Sequence, residues 1–93
     1  MLSLQNQIVL ITGASSGIGA ACAKIFALSG AKLILAARRL ERLQQLASEL
    51  NKEFTVDIHL LQLDVRDRSS VESAISNLPP AWSDINILIN NAG

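Results

Sequence analysis

Tyrosine is missing from this 93-residue chain, and cysteine, histidine and tryptophan occur once each. A single cysteine, Cys22, excludes an internal disulfide and leaves an oxidising compartment without support. Cys22 sits among apolar neighbours at helical spacing and reads as an inert packing thiol. The lone His59 has no second histidine or cysteine with which to build a metal site or a nucleophilic triad, so no metal is expected. Charge of one sign is absent too, because eight basic residues balance eight acidic ones. No field exists to recruit nucleic acid or an anionic membrane. Long apolar runs are also lacking. The run IVLITGA is far too short to span a bilayer, and the start, MLSLQNQ, has neither a basic segment nor a long apolar one. A soluble, cytoplasmic protein is expected.

What the chain does have is aliphatic residues: 49% of it is apolar, with two Phe and one Trp. That composition argues against disorder and for a buried parallel sheet covered by helices. Apolar runs alternate with helical periods throughout. QIVLIT (7–12), AKLILAA (31–37), a stretch over 57–63 and INILIN (85–90) read as strands. Between them lie helices over about 17–29, from Leu40 to Leu50, and over about 68–77. The first carries Ile18, Ala21, Cys22, Ile25, Phe26 and Leu28, with Gly30 placed to end it. Leu40, Leu43, Ala47 and Leu50 mark the second; Val71, Ala74, Ile75 and Leu78 mark the third, which LPP stops. Trp82 is expected to pack against the third helix or over the fourth strand.

Short strands joined by helices must pair in parallel, with right-handed crossovers. The β-α-β-α-β-α-β order therefore predicts an α/β, Rossmann-type doubly wound sheet in which only the first portion is present, with strand order 3-2-1-4. Fixed handedness then puts two helices on one face and one on the other. The fourth strand, apolar on both sides, becomes an edge that invites a partner chain.

Between the first strand and first helix lies Thr12-Gly13-Ala14-Ser15-Ser16-Gly17-Ile18-Gly19. Gly13 suits a tight turn, Gly17 a close backbone approach to phosphate, and Gly19 close packing of the helix. The N–H groups that open the helix suit a pyrophosphate. The spacing is G-x-x-x-G-x-G, and no Gly-Lys-Ser/Thr follows, so it is not a P-loop. Dinucleotide sites place an acidic residue about 20 residues further on to bind a ribose 2′-hydroxyl, or a basic one to accept a 2′-phosphate. Here Ala37-Arg38-Arg39 stands at that point, and guanidinium pairs well with phosphate. Arg38 and Arg39 thus favour NADP(H) over NAD(H). They also argue against an S-adenosylmethionine-dependent methyltransferase, which shares the fold and glycine loop but prefers an acidic residue there.

TGASSGIG, the Leu63-Asp64 pair and NNAG at 90–93 together resemble the classical short-chain dehydrogenase/reductase family. LILAARRLERL and NLPPAWSDINILINNAG are similar to its NADP-dependent 3-hydroxy acid and serine dehydrogenases. The resemblance covers the whole chain but only the first part of that family's domain. It implies that Gly13 and Ser16–Ile18, within the loop that holds Ser15, take the pyrophosphate side of a small dinucleotide. Arg38 would meet the 2′-phosphate, Asp64 would accept from the adenine amino group, and Val65 would line the adenine slot. Asn90 and the Ala92-Gly93 turn would lie under the cofactor, with Thr12 tying that turn to the first loop. Some NADP-specific members carry a basic residue where this chain has Ser16, so specificity would lean on Arg38 and its neighbour.

Family members transfer hydride with a downstream Tyr general acid/base and a Lys. The resemblance therefore implies that residues 1–93 form a truncated NADP(H)-binding domain whose catalytic half is absent, with no catalytic residue and no activity of its own. Full-length members are expected to be homo-oligomers. A non-catalytic dinucleotide-binding or interaction module is the alternative.

Overall fold

A computed structural model of the protein describes residues 3–91; the predicted positions Ala92 and Gly93 lie outside the described residues. The elements follow one another as β1 (Ile8–Thr12), α1 (Gly17–Leu28), β2 (Lys32–Ala37), α2 (Leu40–Glu53), β3 (Ile58–Gln62) and α3 (Arg68–Ser76). A short 3-10 turn (Pro80–Trp82) and β4 (Ile87–Asn90) complete them. All pairings are parallel and the sheet order is β3-β2-β1-β4, as predicted. The strands start or end a residue or two inside the predicted runs because pairing, not apolarity, sets their limits.

β1 is the central strand and is buried along its whole length. Its side chains alternate between two cores. Val9 and Ile11, with Leu33 and Leu35 of β2, pack under α1 and α2 through Ala23, Ala27, Leu43, Leu46 and Leu50. Ile8 and Leu10, with Ile34 and Ala36, face Leu78 and the half-buried Val71 and Ala74. Two helices therefore cover one face and one covers the other, which is why the central strands read as unbroken apolar runs.

α1 differs from its sequence reading. Its inward stripe is Gly19, Ala23 and Ala27, flanked by half-buried Ala20, Cys22 and Phe26. The large residues Ile18 (71% exposed), Ile25 and Leu28 face outward instead. Gly19 explains the rotation. A Cβ there would collide with the Gly13 carbonyl and come within 2.8 Å of the Ala14 Cα. The helix approaches the preceding loop so closely that only small side chains fit its inner face. At its other end Gly30 adopts φ 88°. Its N–H donates to Ala27 O and that of Ala31 to Phe26 O, both at 3.1 Å, a Schellman closure. In α2, Leu46 is buried beside Leu43 and Leu50, and the expected Ala47 is only half-buried. Ile75 of α3 is largely outside the core.

Trp82 lies over the β2–β3 side rather than over β4. Its ring is 5.5 Å from that of His59 on β3, and the Lys32 Nζ sits 4.7 Å from its centroid. The ring contact with Trp82 gives His59 a packing role, and Lys32 adds a cation–π contact on the same indole. At the sheet's edge Leu88 of β4 is 59% exposed. No helix among the described residues is long and apolar enough to cross a membrane.

Gly17 has nothing within 4 Å of where a Cβ would be. Gly17→Ala should be neutral or stabilise by up to about 1 kcal/mol, whereas Gly19→Ala should destabilise by about 1–3 kcal/mol through overpacking. Urea denaturation of the two variants checks this, and equal stabilities would contradict the close approach of α1.

Candidate functional site

Parallel strands present their carboxyl ends on one side of a sheet, and the loops leaving β1, β2 and β3 meet there. Between them lies a cavity of about 470 Å³. Its wall contains Gly13, Ser15 and Ser16 from the first loop and Arg38 and Arg39 after β2. Asp64 and Val65 after β3 complete the predicted set that the fold brings together. Thr12, Gly17, Ile18, Gly19 and Asn90 do not line it. They act around it: Gly19 as a spacer, Gly17 as an open helix start, Ile18 as an outward side chain.

The first loop is held by a small polar network. Gly13 takes φ 61°, a left-handed conformation that favours glycine. Ser16 caps α1: its Oγ accepts from the Gly19 N–H at 3.1 Å and donates to Gly13 O at 2.9 Å. Thr12 is the only polar residue among the described ones that is buried, and its hydroxyl is fully used. Oγ1 donates to Asn90 Oδ1 at 3.0 Å and accepts from the Asn91 N–H at 3.2 Å. Thr12 thus joins the end of β1 to Asn90 and Asn91; the Ala92-Gly93 turn it was expected to tie lies outside the described residues.

Asn91 strengthens that tie and was not singled out from sequence. Its Nδ2 donates to Ser16 Oγ at 2.8 Å and lies 3.3 Å from Gly13 O, and its side chain lines the cavity. The doubled Asn90-Asn91 was the available signal, but spacing alone does not say which asparagine turns toward the loop.

Asp64 is gripped by Arg66. The carboxylate accepts from the Arg66 backbone N–H at 3.0 Å, from Nε at 3.1 Å and from Nη2 at 2.9 Å. Those bonds hold the Asp64 pKa at about 2, below the ordinary 3.8, with a smaller contribution from the field of nearby Arg38. Such a carboxylate stays an acceptor at every physiological pH. Arg42 and Arg66 also line the cavity, and sequence reading missed both. Arg42 lies in the first turn of α2, three residues after Arg39, a spacing that puts side chains on one face. Among the described residues, no group of three or more His, Cys, Asp or Glu is placed to hold a metal ion.

A glycine turn feeding a helix N-terminus, at the carboxyl end of the central strand of a 3-2-1-4 parallel sheet, is the arrangement of the doubly wound, Rossmann-like class. The family model for short chain dehydrogenase matches residues 7–93, and the chain belongs to that family. It is 51% identical over 88 residues to sulfoacetaldehyde reductase 2 of Chromohalobacter salexigens, covering 95% of this chain and 34% of that protein. It is 46% identical over 94 residues to an NADP-dependent 3-hydroxy acid dehydrogenase of Schizosaccharomyces pombe, covering 100% and 36%. The fold matches L-sorbose reductase of Gluconobacter frateurii, solved with NADPH and L-sorbose, at TM-score 0.90 and 35% identity, over 99% of this chain and 35% of that one. The chain thus spans about a third of the length of the curated relatives it matches.

The depressed Asp64 pKa carries a sign. Its stabilising contribution is complete above the ordinary value of 3.8 and is lost as pH falls toward about 2. Carboxyl NMR titration should find Asp64 near 2 in the wild type and higher in Arg66→Ala, which removes the guanidinium but keeps the backbone N–H. A midpoint near 3.8 in both proteins would contradict the Arg66 grip.

Proposed function

We propose that this chain is the NADP(H)-binding portion of a short-chain oxidoreductase that moves hydride between the cofactor and a hydroxyl/carbonyl pair on a small substrate. One observation carries the choice of NADP(H). The rim of the cavity at the end of β2, where a 2′-hydroxyl reader would put a carboxylate, presents Arg38 and Arg39. Neither guanidinium has a carboxylate partner within ion-pair distance among the described residues.

The remaining assignments fit around that rim. Gly13, Ser15 and Ser16 offer a polar loop at a helix start for the pyrophosphate, and the open space at Gly17 leaves room for its approach. Asp64, an acceptor fixed by Arg66, suits an adenine amino group, and Val65 supplies an apolar wall beside it. Asn90, held by Thr12, belongs to the floor, with Ala92 and Gly93 assigned there by the family pattern alone.

The relatives are named for sulfoacetaldehyde, for 3-hydroxy acids and for L-sorbose. Those names share reduction or oxidation at a carbon–oxygen centre, which supports the reaction type and leaves the substrate open. The nicotinamide, when bound, supplies or accepts the hydride; the residues here bind and orient it. Proton transfer needs another group, because the 93 residues contain no tyrosine. We assign residues 1–93 to cofactor binding and the acid/base chemistry to polypeptide outside them. The alternative, a non-catalytic binding module, draws on the outward stripe of Ile18, Ile25 and Leu28 and the exposed Leu88, surfaces open to a partner.

Arg38→Asp should weaken NADPH binding about tenfold or more, by removing a charge-assisted pair, and NADH binding much less. Equal losses for both cofactors would remove the 2′-phosphate assignment. Gly17→Val should abolish binding of both while the far-ultraviolet circular dichroism stays unchanged; undiminished binding would overturn the pyrophosphate assignment.

A further inference from the structure

β4 and the residue before it read Asn86-Ile87-Leu88-Ile89-Asn90, a segment identical in either direction. Among the described residues the sheet ends there, with β1 on one side of β4 and no strand on the other. Successive carbonyls along a strand point to opposite sides in the plane of the sheet. The Ile89 carbonyl turns toward β1, 3.4 Å from the Thr12 Oγ1. The backbone N–H and carbonyl of Leu88 therefore turn to the open edge. Its side chain is 59% exposed as well.

Edge strands are ordinarily guarded by charge, by proline or by a side chain laid across them. The opposite edge, β3, carries His59 and Gln62, and the Gln62 amide crosses to the Arg38 carbonyl at 3.0 Å. β4 has no such guard: neither a charged residue nor a proline falls within residues 85–91. A two-fold contact brings each group near its axis against its own kind, so an uncharged strip is what self-pairing requires.

The palindrome supplies the register. Antiparallel pairing centred on Leu88 sets it against Leu88 of a second copy, with Ile87 against Ile89 and Asn86 against Asn90. Each pair joins apolar to apolar or amide to amide. The facing leucines exchange N–H···O bonds in both directions. A shift by one residue would turn the outward backbone groups away from each other, and a shift by two would set Leu88 against asparagine.

We propose that β4 is a self-pairing edge, through which two copies of the 93-residue chain join antiparallel about a two-fold axis at Leu88. Such a contact is isologous, uses up both β4 edges and closes at the dimer. It also fastens the strand that ends in Asn90 and Asn91, the residues tied to Thr12 and Ser16. Leu88 does not line the cavity, so the cofactor reading stands or falls separately.

Sedimentation equilibrium of the 93-residue protein tests the pairing, beside Leu88→Lys. At about 100 μM, where a small interface is populated, the wild type should approach twice the 10.0 kDa of one chain. Leu88→Lys should sediment as a monomer with unchanged circular dichroism, because the introduced charges face one another across the axis. Hydrogen exchange followed by NMR should show the Leu88 amide slowing as wild-type concentration rises. A monomeric wild type at that concentration would overturn the inference, as would a dimer that Leu88→Lys leaves intact or an aggregate of indefinite mass. So would a longer gene product that runs as one copy, since polypeptide following residue 93 would then hold the edge. Should Leu88→Lys fold poorly, exchange in the wild type decides: a Leu88 amide that exchanges freely at every concentration refutes the pairing, and one that slows supports it.

Discussion

The buried hydroxyl of Thr12 is the joint on which the site depends. It sits at the end of the central strand, opposite Ala36 on one side and Asn90 on the other. From there it accepts from the backbone beyond β4 and donates to the Asn90 side chain. Asn91, held by the same oxygen, reaches across to Ser16, which caps α1 and braces the Gly13 turn. A single side chain therefore sets the positions of two loops and one helix start. Both hydrogen-bonding roles of that hydroxyl are filled, and leaving a partner unmet at such a buried position costs about 1–3 kcal/mol. The glycine turn is consequently preformed, rather than dependent on a ligand to shape it.

Much of this was legible in the sequence, and for physical reasons. Strands covered on both faces must be apolar throughout, so QIVLIT and AKLILAA announce themselves. Helices between them force parallel pairing, and the handedness of crossovers then dictates the 3-2-1-4 order and the two-against-one placement of helices. The glycine spacing and the arginines after the second strand fall at positions where topology leaves little choice. The cavity wall does contain Gly13, Ser15, Ser16, Arg38, Arg39, Asp64 and Val65.

What sequence reasoning missed depends on distances that periodicity does not carry. The inward face of α1 is chosen by the contact of Gly19 with the Gly13–Ala14 backbone, so Ala23 and Ala27 go in and the larger Ile25 and Leu28 go out. An amphipathic count weights size and would turn the helix the other way. Trp82 lies against His59 and Lys32, residues more than twenty positions away in sequence, which no local pattern links. Arg66 and Arg42 look like ordinary surface cations until the fold brings them to one cavity. There Arg66 fixes a carboxylate, whereas Arg42 has no carboxylate within ion-pair distance among the described residues.

The central claim is that this cavity distinguishes a 2′-phosphate from a 2′-hydroxyl. The most direct test is the wild-type protein's equilibrium affinity for NADPH and for NADH, measured side by side at two salt concentrations. The account predicts that NADPH binds about tenfold tighter or more, and that the gap narrows as salt rises, because exposed guanidiniums make the difference. Equal affinities at low salt, or a gap insensitive to salt, would contradict it.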